Sequence, residues 1–478
     1  MNRKMILYFL GWVMKIEAGL MVLPLIVSLI YRERESLILA GIIAFCAIVG
    51  HLLSYNKPVN AKFFTKEGYV AVALSWIVLG IFGAMPFYQT STIPSFVDAL
   101  FETVSGFTTT GASILNDVEH MSKGVQFWRS FTHWVGGMGV LVFVLALLPV
   151  TDADSIHLMR AESPGPSVGK LVPRVKSTAK ILYGIYIAIT VAEMIVLMIT
   201  GMPVLESMEI AFGTVGTGGF GVHNDSCTSY STLQQGVITF FMIACGVNFS
   251  MYFLLLAKKP KDVIKSEELR TYLGIIAFGA ITIAFNVRGY FDSIWMALHH
   301  ALFQVATCMT TTGFGTADFD RWPTYSKMVL VAVMFVGGCA GSTAGGIKVS
   351  RVVIAFKTIR KEMQSLIHPR AVKILKFEGK PIEHNVLRSI NVYFMTYILI
   401  FFGSILLVAL DGKDVTTTVT AVIATFNNIG PGLAGVGPTM NYSEFSDFAK
   451  VILTFDMLAG RLELFPLLLA FSPSTWRK

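Results

Sequence analysis

Four short runs of Thr, Gly and Asn constrain this chain more than any other feature. They read TTTGAS at 108–113, VGTGGF at 215–220, TTTGFG at 310–315 and NNIGPG at 427–432, and one alignment puts Gly111, Gly218, Gly313 and Gly430 in register. Each follows a short apolar segment, at 96–107, 204–215, 293–309 and 415–426, and precedes a longer one. A single such run reads as a glycine-containing turn between helices. Recurrence at separations of roughly a hundred residues describes instead four copies of a helix, re-entrant half-helix, loop, helix unit.

The longer segments place these units in lipid. Stretches such as Met5 to Ile30, Leu37 to Leu53, Tyr69 to Phe87 and Ile181 to Thr200 match the ~20 helical residues that cross a hydrocarbon layer. Only 14% of residues are charged and the mean hydropathy is +0.64, whereas a soluble domain carries roughly a quarter charged residues. The first stretch also suits a signal peptide, but it is long for one and lacks a small-residue cleavage site, so a retained helix is expected. Two helices, near 5–30 and 37–54, then precede the first unit. The expected division is a two-helix predomain over 1–60 and pore units over 61–155, 156–265, 266–375 and 376–478.

Charge sets the expected topology. The net charge of +8 collects in short segments between apolar spans, at 57–66, 160–180, 258–270 and 351–388, with Arg3, Lys4, Arg477 and Lys478 at the ends. That pattern argues against nucleic acid and for cytoplasmic loops, with both termini inside. Intervening segments carry Asp98, Glu102, Asp117, Glu119, Glu206, Glu209, Asp225, Asp318 and Asp320, which would face outward and concentrate cations. Cys46, Cys227, Cys245, Cys308 and Cys339 show no paired spacing, so neither a disulfide framework nor a metal cage is implied.

Non-helical backbone at membrane depth survives only buried in protein or along a water-filled cavity. Four such loops therefore imply a shared aqueous axis. Half-helices entering from outside aim their partly negative C-terminal ends at that axis, which favours a cation. A glycine of positive φ lets consecutive carbonyl oxygens face an ion, and rings of carbonyls replace a potassium ion's hydration shell. Thr109, Thr110, Thr217, Thr311 and Thr312 can add hydroxyls, and Asn427 and Asn428 can brace the fourth loop.

On these residues the chain resembles the TrkH/KtrB potassium transport family. SGFTTTGAS at 105–113 and MTTTGFGTADFDRWP at 309–323 carry the likeness, with FWRSFTHWVGGMGV at 127–140, GGCAGSTAGGIKVSR at 337–351 and AGRLELFP at 459–466. The likeness covers essentially the whole chain, and the two leading helices favour the TrkH-like branch. It implies an all-α integral membrane fold of four fused pore units around one pseudo-fourfold axis. It also implies a potassium-binding filter at Thr109, Thr110, Gly111, Gly216, Thr217, Gly218, Thr311, Thr312, Gly313, Asn428, Ile429 and Gly430. Serine at the first filter glycine is associated with sodium selectivity in related plant transporters, so Gly111 favours potassium. The fourth loop departs from the family's threonine-rich pattern through Asn427, Asn428 and Pro431.

The glycine-rich stretch inside the third unit predicts a helix break. By resemblance Gly337, Gly338, Ala340, Gly341, Ser342, Thr343, Ala344, Gly345, Gly346 and Lys348 form an intramembrane gate. Close packing through small residues is the alternative. Residues 341–348 resemble a phosphate-binding loop only superficially, with no βαβ context, and Lys348 either influences an exiting cation or snorkels. Arg461 lies within the last apolar span, where a charge marks function by default. The resemblance makes it an electrostatic barrier below the filter, and pairing with Glu463 is the structural alternative. Glu193, Lys15 and Glu17 read as packing or interfacial residues, and His133, His299 and His300 as polar helix contacts.

The resemblance also implies a homodimer in the cytoplasmic (inner) membrane and a TrkA-like peripheral nucleotide-binding ring. The basic loops 160–180, 258–270 and 351–388 offer docking surfaces for that ring, or for lipid headgroups. No organic cofactor is expected, and potassium is the transported ligand. Two other membrane readings stay open, an ion-coupled symporter with inverted halves and the potassium-binding subunit of a pumping ATPase. A membrane hydrolase is disfavoured, because the chain has neither a G-x-S-x-G elbow nor an H-E-x-x-H helix.

Overall fold

The computed structural model describes residues 1–56, 58, 65–139, 175–370 and 374–477. Parts of the cationic segments 57–66, 160–180 and 351–388, the second half of the span near 126–148, the expected boundaries at 60/61 and 155/156, and Lys478 lie outside the described residues.

Among the described residues six helices are long and apolar enough to cross a membrane: Arg3–Ile30, Glu35–Ser54, Lys66–Gln89, Thr178–Ile199, Glu267–Asn286 and His384–Asp411. The two leading helices cross at Gly11 and Gly50, where a Cβ on either would lie 2.8 Å from the other's carbonyl oxygen. Small residues at such a crossing let two backbones meet in lipid.

Four short helices occupy the segments expected to be re-entrant: Phe96–Phe107, Val204–Gly216, Ile294–Met309 and Val415–Phe426. Ser95, Ser293 and Asp414 start three of them by accepting a backbone N–H of the first turn, and Pro203 starts the fourth. These caps satisfy donors that a helix cannot satisfy itself. Each short helix runs into one of the four glycine runs.

The helices that follow are Lys123–Gly137, Thr232–Cys245, Thr324–Val336 and Asp447–Arg461. Each packs on the short helix of its own or a neighbouring unit. In particular, Lys123–Gly137 packs on Val204–Gly216, Thr232–Cys245 on Ile294–Met309, Thr324–Val336 on Val415–Phe426, and Asp447–Arg461 on Phe96–Phe107. The last contact returns to the first unit and closes a ring.

Continuous inward spans were expected except in the third unit, and here the structure differs. The chain bends by 90° between Thr232–Cys245 and Phe249–Leu256, where Asn248 caps the second piece through Ser250 N–H. It breaks again between Asp447–Arg461 and Phe465–Phe471, with Glu463 at φ 53° and Leu464 at φ 73°. The expected break in the third unit spans the loop between Val336 and Val349. Among the described residues the only sheet is a hairpin, Lys376–Phe377 paired with Lys380–Pro381. Its turn at Glu378 and Gly379 has positive φ at both residues, the twist that a two-residue hairpin favours.

Candidate ion pathway

The four glycine runs share one backbone conformation. In each, a residue of positive φ is followed by an ordinary residue and then by a glycine of positive φ: Thr109 and Gly111, Thr217 and Gly219, Thr311 and Gly313, Asn428 and Gly430. The middle residue donates its N–H to a helix carbonyl five residues back. These bonds, Thr110 to Ser105, Gly218 to Gly213, Thr312 to Thr307 and Ile429 to Ala424, all measure 2.8 Å. The sequence alignment on Gly218 is thereby corrected by one residue. Gly218 is the counterpart of Thr110, Gly219 is the counterpart of Gly111, and Gly216 is the last residue of its short helix. Two adjacent glycines made either register readable, and the helix end decides between them.

The glycines also join the loops to one another. A Cβ on Gly111 would collide with the Gly218 carbonyl, one on Gly219 with the Thr312 carbonyl, and one on Gly313 with the Ile429 carbonyl. One on Gly430 would lie 2.7 Å from the Thr110 carbonyl oxygen, which returns the circuit to the first loop. Gly111, Gly219, Gly313 and Gly430 all line one open cavity of about 150 Å³. None of the four positions has room for a side chain toward its neighbour.

Side-chain oxygens surround this ring. The Thr108 and Thr110 hydroxyls lie 2.8 Å apart, and those of Thr310 and Thr312 2.7 Å apart. Asn428 Nδ2 donates to Thr110 Oγ1 and to the Met457 carbonyl, each at 2.9 Å, tying the fourth loop to the first. Asn427 Oδ1 accepts from the Tyr397 hydroxyl at 2.9 Å. Thr109 Oγ1 and Asn428 Oδ1 are buried with no hydrogen-bond partner among the described residues, so both remain free to accept from water or to ligate a cation.

Polar groups behind the ring hold it. Glu102 and Arg129 form a buried pair at 2.7 Å. Glu102 also accepts from Ser113 Oγ and Ile114 N–H, while Arg129 donates to the Gly221 carbonyl. His133 lies 2.8 Å from the Gly106 carbonyl through Nδ1 and accepts from Phe220 N–H through Nε2 at 3.1 Å. That pair of partners requires the neutral Nδ1–H tautomer and fits the expected polar contact.

None of the acidic residues expected to concentrate cations lines the cavity; most are engaged elsewhere, and Glu209 is buried with Oε1 unpartnered among the described residues. Asp98 pairs with Lys450 at 2.5 Å, Asp318 with Arg321 at 3.0 Å, and Asp320 with Lys327 at 3.8 Å. Glu119 and Glu206 flank His223. Asp117 is held below the usual carboxylate range by the Asn224 amide and then by His120, which keeps it charged at the rim. Basic partners on neighbouring elements were not visible in the linear pattern.

The loop 337–348 lies against the third and fourth runs. Gly345 N–H donates to Thr311 Oγ1 at 2.6 Å, and a Cβ on Gly345 would meet the Asn427 carbonyl oxygen at 2.6 Å. Its ends are pinched, with Lys348 N–H bonded to the Val336 carbonyl at 2.9 Å and Val349 N–H to that of Gly338 at 3.0 Å. Gly341 carbonyl accepts from Phe249 N–H, and Cys339 N–H donates to Gly246 carbonyl, so the bent second unit grips the loop. Lys348 Nζ folds back onto the Ala344 carbonyl. Sequence reading overlooked Glu268, whose Oε1 accepts from Ala340 N–H at 2.7 Å and Ser350 N–H at 3.2 Å. The adjacent carboxylates Glu267 and Glu268 in the mainly basic segment 258–270 were the available signal.

Arg461 reaches across the molecule. It donates to the Thr343 carbonyl at 2.8 Å and to the Gly136 and Gly137 carbonyls at 2.5 and 2.7 Å. Pairing of Arg461 with Glu463 is overturned, because Glu463 binds Arg351, whose guanidinium also lies 4.2 Å from the Tyr393 ring. The strained turn at Glu463 and Leu464 points the two residues to different partners.

Fold and site together define a multi-pass helical membrane protein in which four glycine loops close a carbonyl-rich ring beside one cavity. Residues 35–478 match the TrkH family, described as cation transport protein. The chain is 35% identical over 485 residues to the Trk system potassium uptake protein TrkH of Salmonella typhimurium, covering 100% of both. To the Trk system potassium uptake protein TrkG of Escherichia coli it is 32% identical, covering 98% of this chain and 97% of the other. The crystal structure of the potassium transporter TrkH from Vibrio parahaemolyticus matches with a TM-score of 0.90 at 31% identity, covering 100% of both chains. This chain belongs to the TrkH family of cation transport proteins, and it is a transport protein rather than an enzyme.

Proposed function

We propose that the chain carries potassium into the cell through a selectivity filter formed by Thr109–Gly111, Thr217–Gly219, Thr311–Gly313 and Asn428–Gly430. The observation that carries this reading is the closed circuit of glycine-to-carbonyl contacts around the four loops. Four short helices ending at the circuit supply partly negative termini, which favour a cation over an anion. The names of the relatives, Trk system potassium uptake proteins, support potassium as the cargo.

In this reading four pore units over 61–155, 156–265, 266–375 and 376–478 surround a pseudo-fourfold axis, after a two-helix predomain over 1–60. The loop 337–348 is the gate; its contacts with Thr311 and Asn427 support a position beneath the filter. Arg461 straps that loop and adds a positive barrier. Both termini face the cytoplasm of the inner membrane. The working unit is a homodimer with a TrkA-like nucleotide-binding ring docked on the basic loops; the word "system" in the relatives' names supports a partner.

Potassium and sodium flux into liposomes containing the purified chain tests the reading. Wild type should pass potassium selectively. Gly111→Ser places a side chain at φ +77° against the Gly218 carbonyl, a backbone strain of about 1–2 kcal/mol. Its potassium preference should fall by about tenfold. Absence of cation flux, with the nucleotide-binding partner present, would reject the pore.

A further inference from the structure

We propose that Tyr442 sets the ligand strength of the outermost cation ring by engaging one of its four glycine carbonyls. This rests on the filter reading above and adds to it a residue that determines outer-site affinity.

The Tyr442 hydroxyl donates to the Gly430 carbonyl at 2.7 Å. Its backbone N–H donates to the Ser113 carbonyl at 2.8 Å, so the residue bridges the segments that follow the fourth and first glycines. The side chain is buried, with its ring 5.5 Å from that of Phe101 and stacked 5.7 Å from that of Phe445. Packing on one side and the backbone bond on the other hold the hydroxyl in place.

The matching carbonyls of Gly111, Gly219 and Gly313 accept no hydrogen bond from any described residue. All four glycines and Tyr442 line the same cavity. The ring is therefore chemically unequal. Three carbonyls keep their full negative potential for an ion, and the fourth shares its lone-pair density with a proton and is held toward a fixed donor. Ion binding at a carbonyl ring depends on the number and field strength of its dipoles, so the hydroxyl weakens the outer site. A weaker outer site lets potassium pass inward rather than remain at the mouth.

Tyr442→Phe removes only the hydroxyl and keeps the ring among Phe101 and Phe445. Initial potassium flux into liposomes is measured against external potassium for wild type, Tyr442→Phe, Phe445→Leu and Gly111→Ser. For Tyr442→Phe the half-saturating potassium concentration should fall about fivefold, the scale of one neutral hydrogen bond, with a lower maximal rate as release slows. Phe445→Leu, which loosens the ring but keeps the hydroxyl, should hold half-saturation within about twofold of wild type. Half-saturation unchanged in Tyr442→Phe, or a Phe variant that fails to fold, would give the hydroxyl a purely structural role and overturn the proposal. If Gly111→Ser loses selectivity while Tyr442→Phe behaves as wild type, only this inference fails. If wild type shows no potassium-selective flux, the filter reading fails with it.

Discussion

Replacing Arg461 by alanine should accelerate potassium flux, and the structure sets the size of the effect. Two of its bonds, to Gly136 and Gly137, anchor the guanidinium at the C-terminal end of Lys123–Gly137, where free carbonyls favour a cation. The third, 2.8 Å to the Thr343 carbonyl, is the strap on the loop 337–348. If that loop is the proposed gate and must move for ions to pass, opening breaks this bond while the anchor stays. A hydrogen bond to a charged group contributes about 1.5–3 kcal/mol, and each 1.36 kcal/mol is a factor of ten. Arg461→Ala should therefore raise the flux of the chain without its partner by about tenfold to a hundredfold. Arg461→Lys separates the two roles of the residue. Lysine keeps the charge but has one nitrogen and cannot hold the Gly136 and Gly137 anchor and the Thr343 carbonyl at once, so a strap predicts acceleration and a pure electrostatic barrier predicts wild-type flux. The assay is initial potassium flux into liposomes, normalised to folded protein. An alanine variant that folds and is no faster than wild type would refute the argument.

The second loop's register is open to a direct test. Gly219→Ser should lower the potassium-to-sodium flux ratio by about as much as Gly111→Ser, roughly tenfold. Gly218→Ser, which drives a Cβ into the His133 ring, should instead reduce the yield of folded protein on size-exclusion chromatography. Glu102→Ala leaves Arg129 buried without its carboxylate, a loss of about 3–5 kcal/mol, and should lower the thermal unfolding midpoint in detergent by several degrees or abolish folding.

Much of the architecture was legible because lipid enforces a simple rule. Apolar length identifies spans, so the leading helices and the four short segments fall where hydropathy puts them. The break at 337–348 was legible too, since Gly337, Gly338, Gly341, Gly345 and Gly346 together oppose a continuous helix. The bend after Cys245 had a fainter signal in Gly246 and the capping Asn248. The break at Glu463 and Leu464 had its signal in Pro466, which cannot continue a helix and opens the next one, but the positive φ of both residues depends on tertiary contacts, among them the pair of Glu463 with Arg351.

By itself, then, the sequence determined that this is a membrane chain of four glycine-bearing units with a charged residue deep in its last span. Those properties are local, carried by hydrophobic length, by recurrence and by glycine's freedom at positive φ. Tertiary structure alone decided that Gly219 rather than Gly218 faces the Thr312 carbonyl, that Glu463 belongs to Arg351, and that none of the outward acidic residues lines the cavity. It also decided that Glu268 and Arg461 bind a loop far from them in sequence, and that the Tyr442 hydroxyl turns back to the Gly430 carbonyl. Each of these is a choice among partners, and partners become neighbours only when the ring closes.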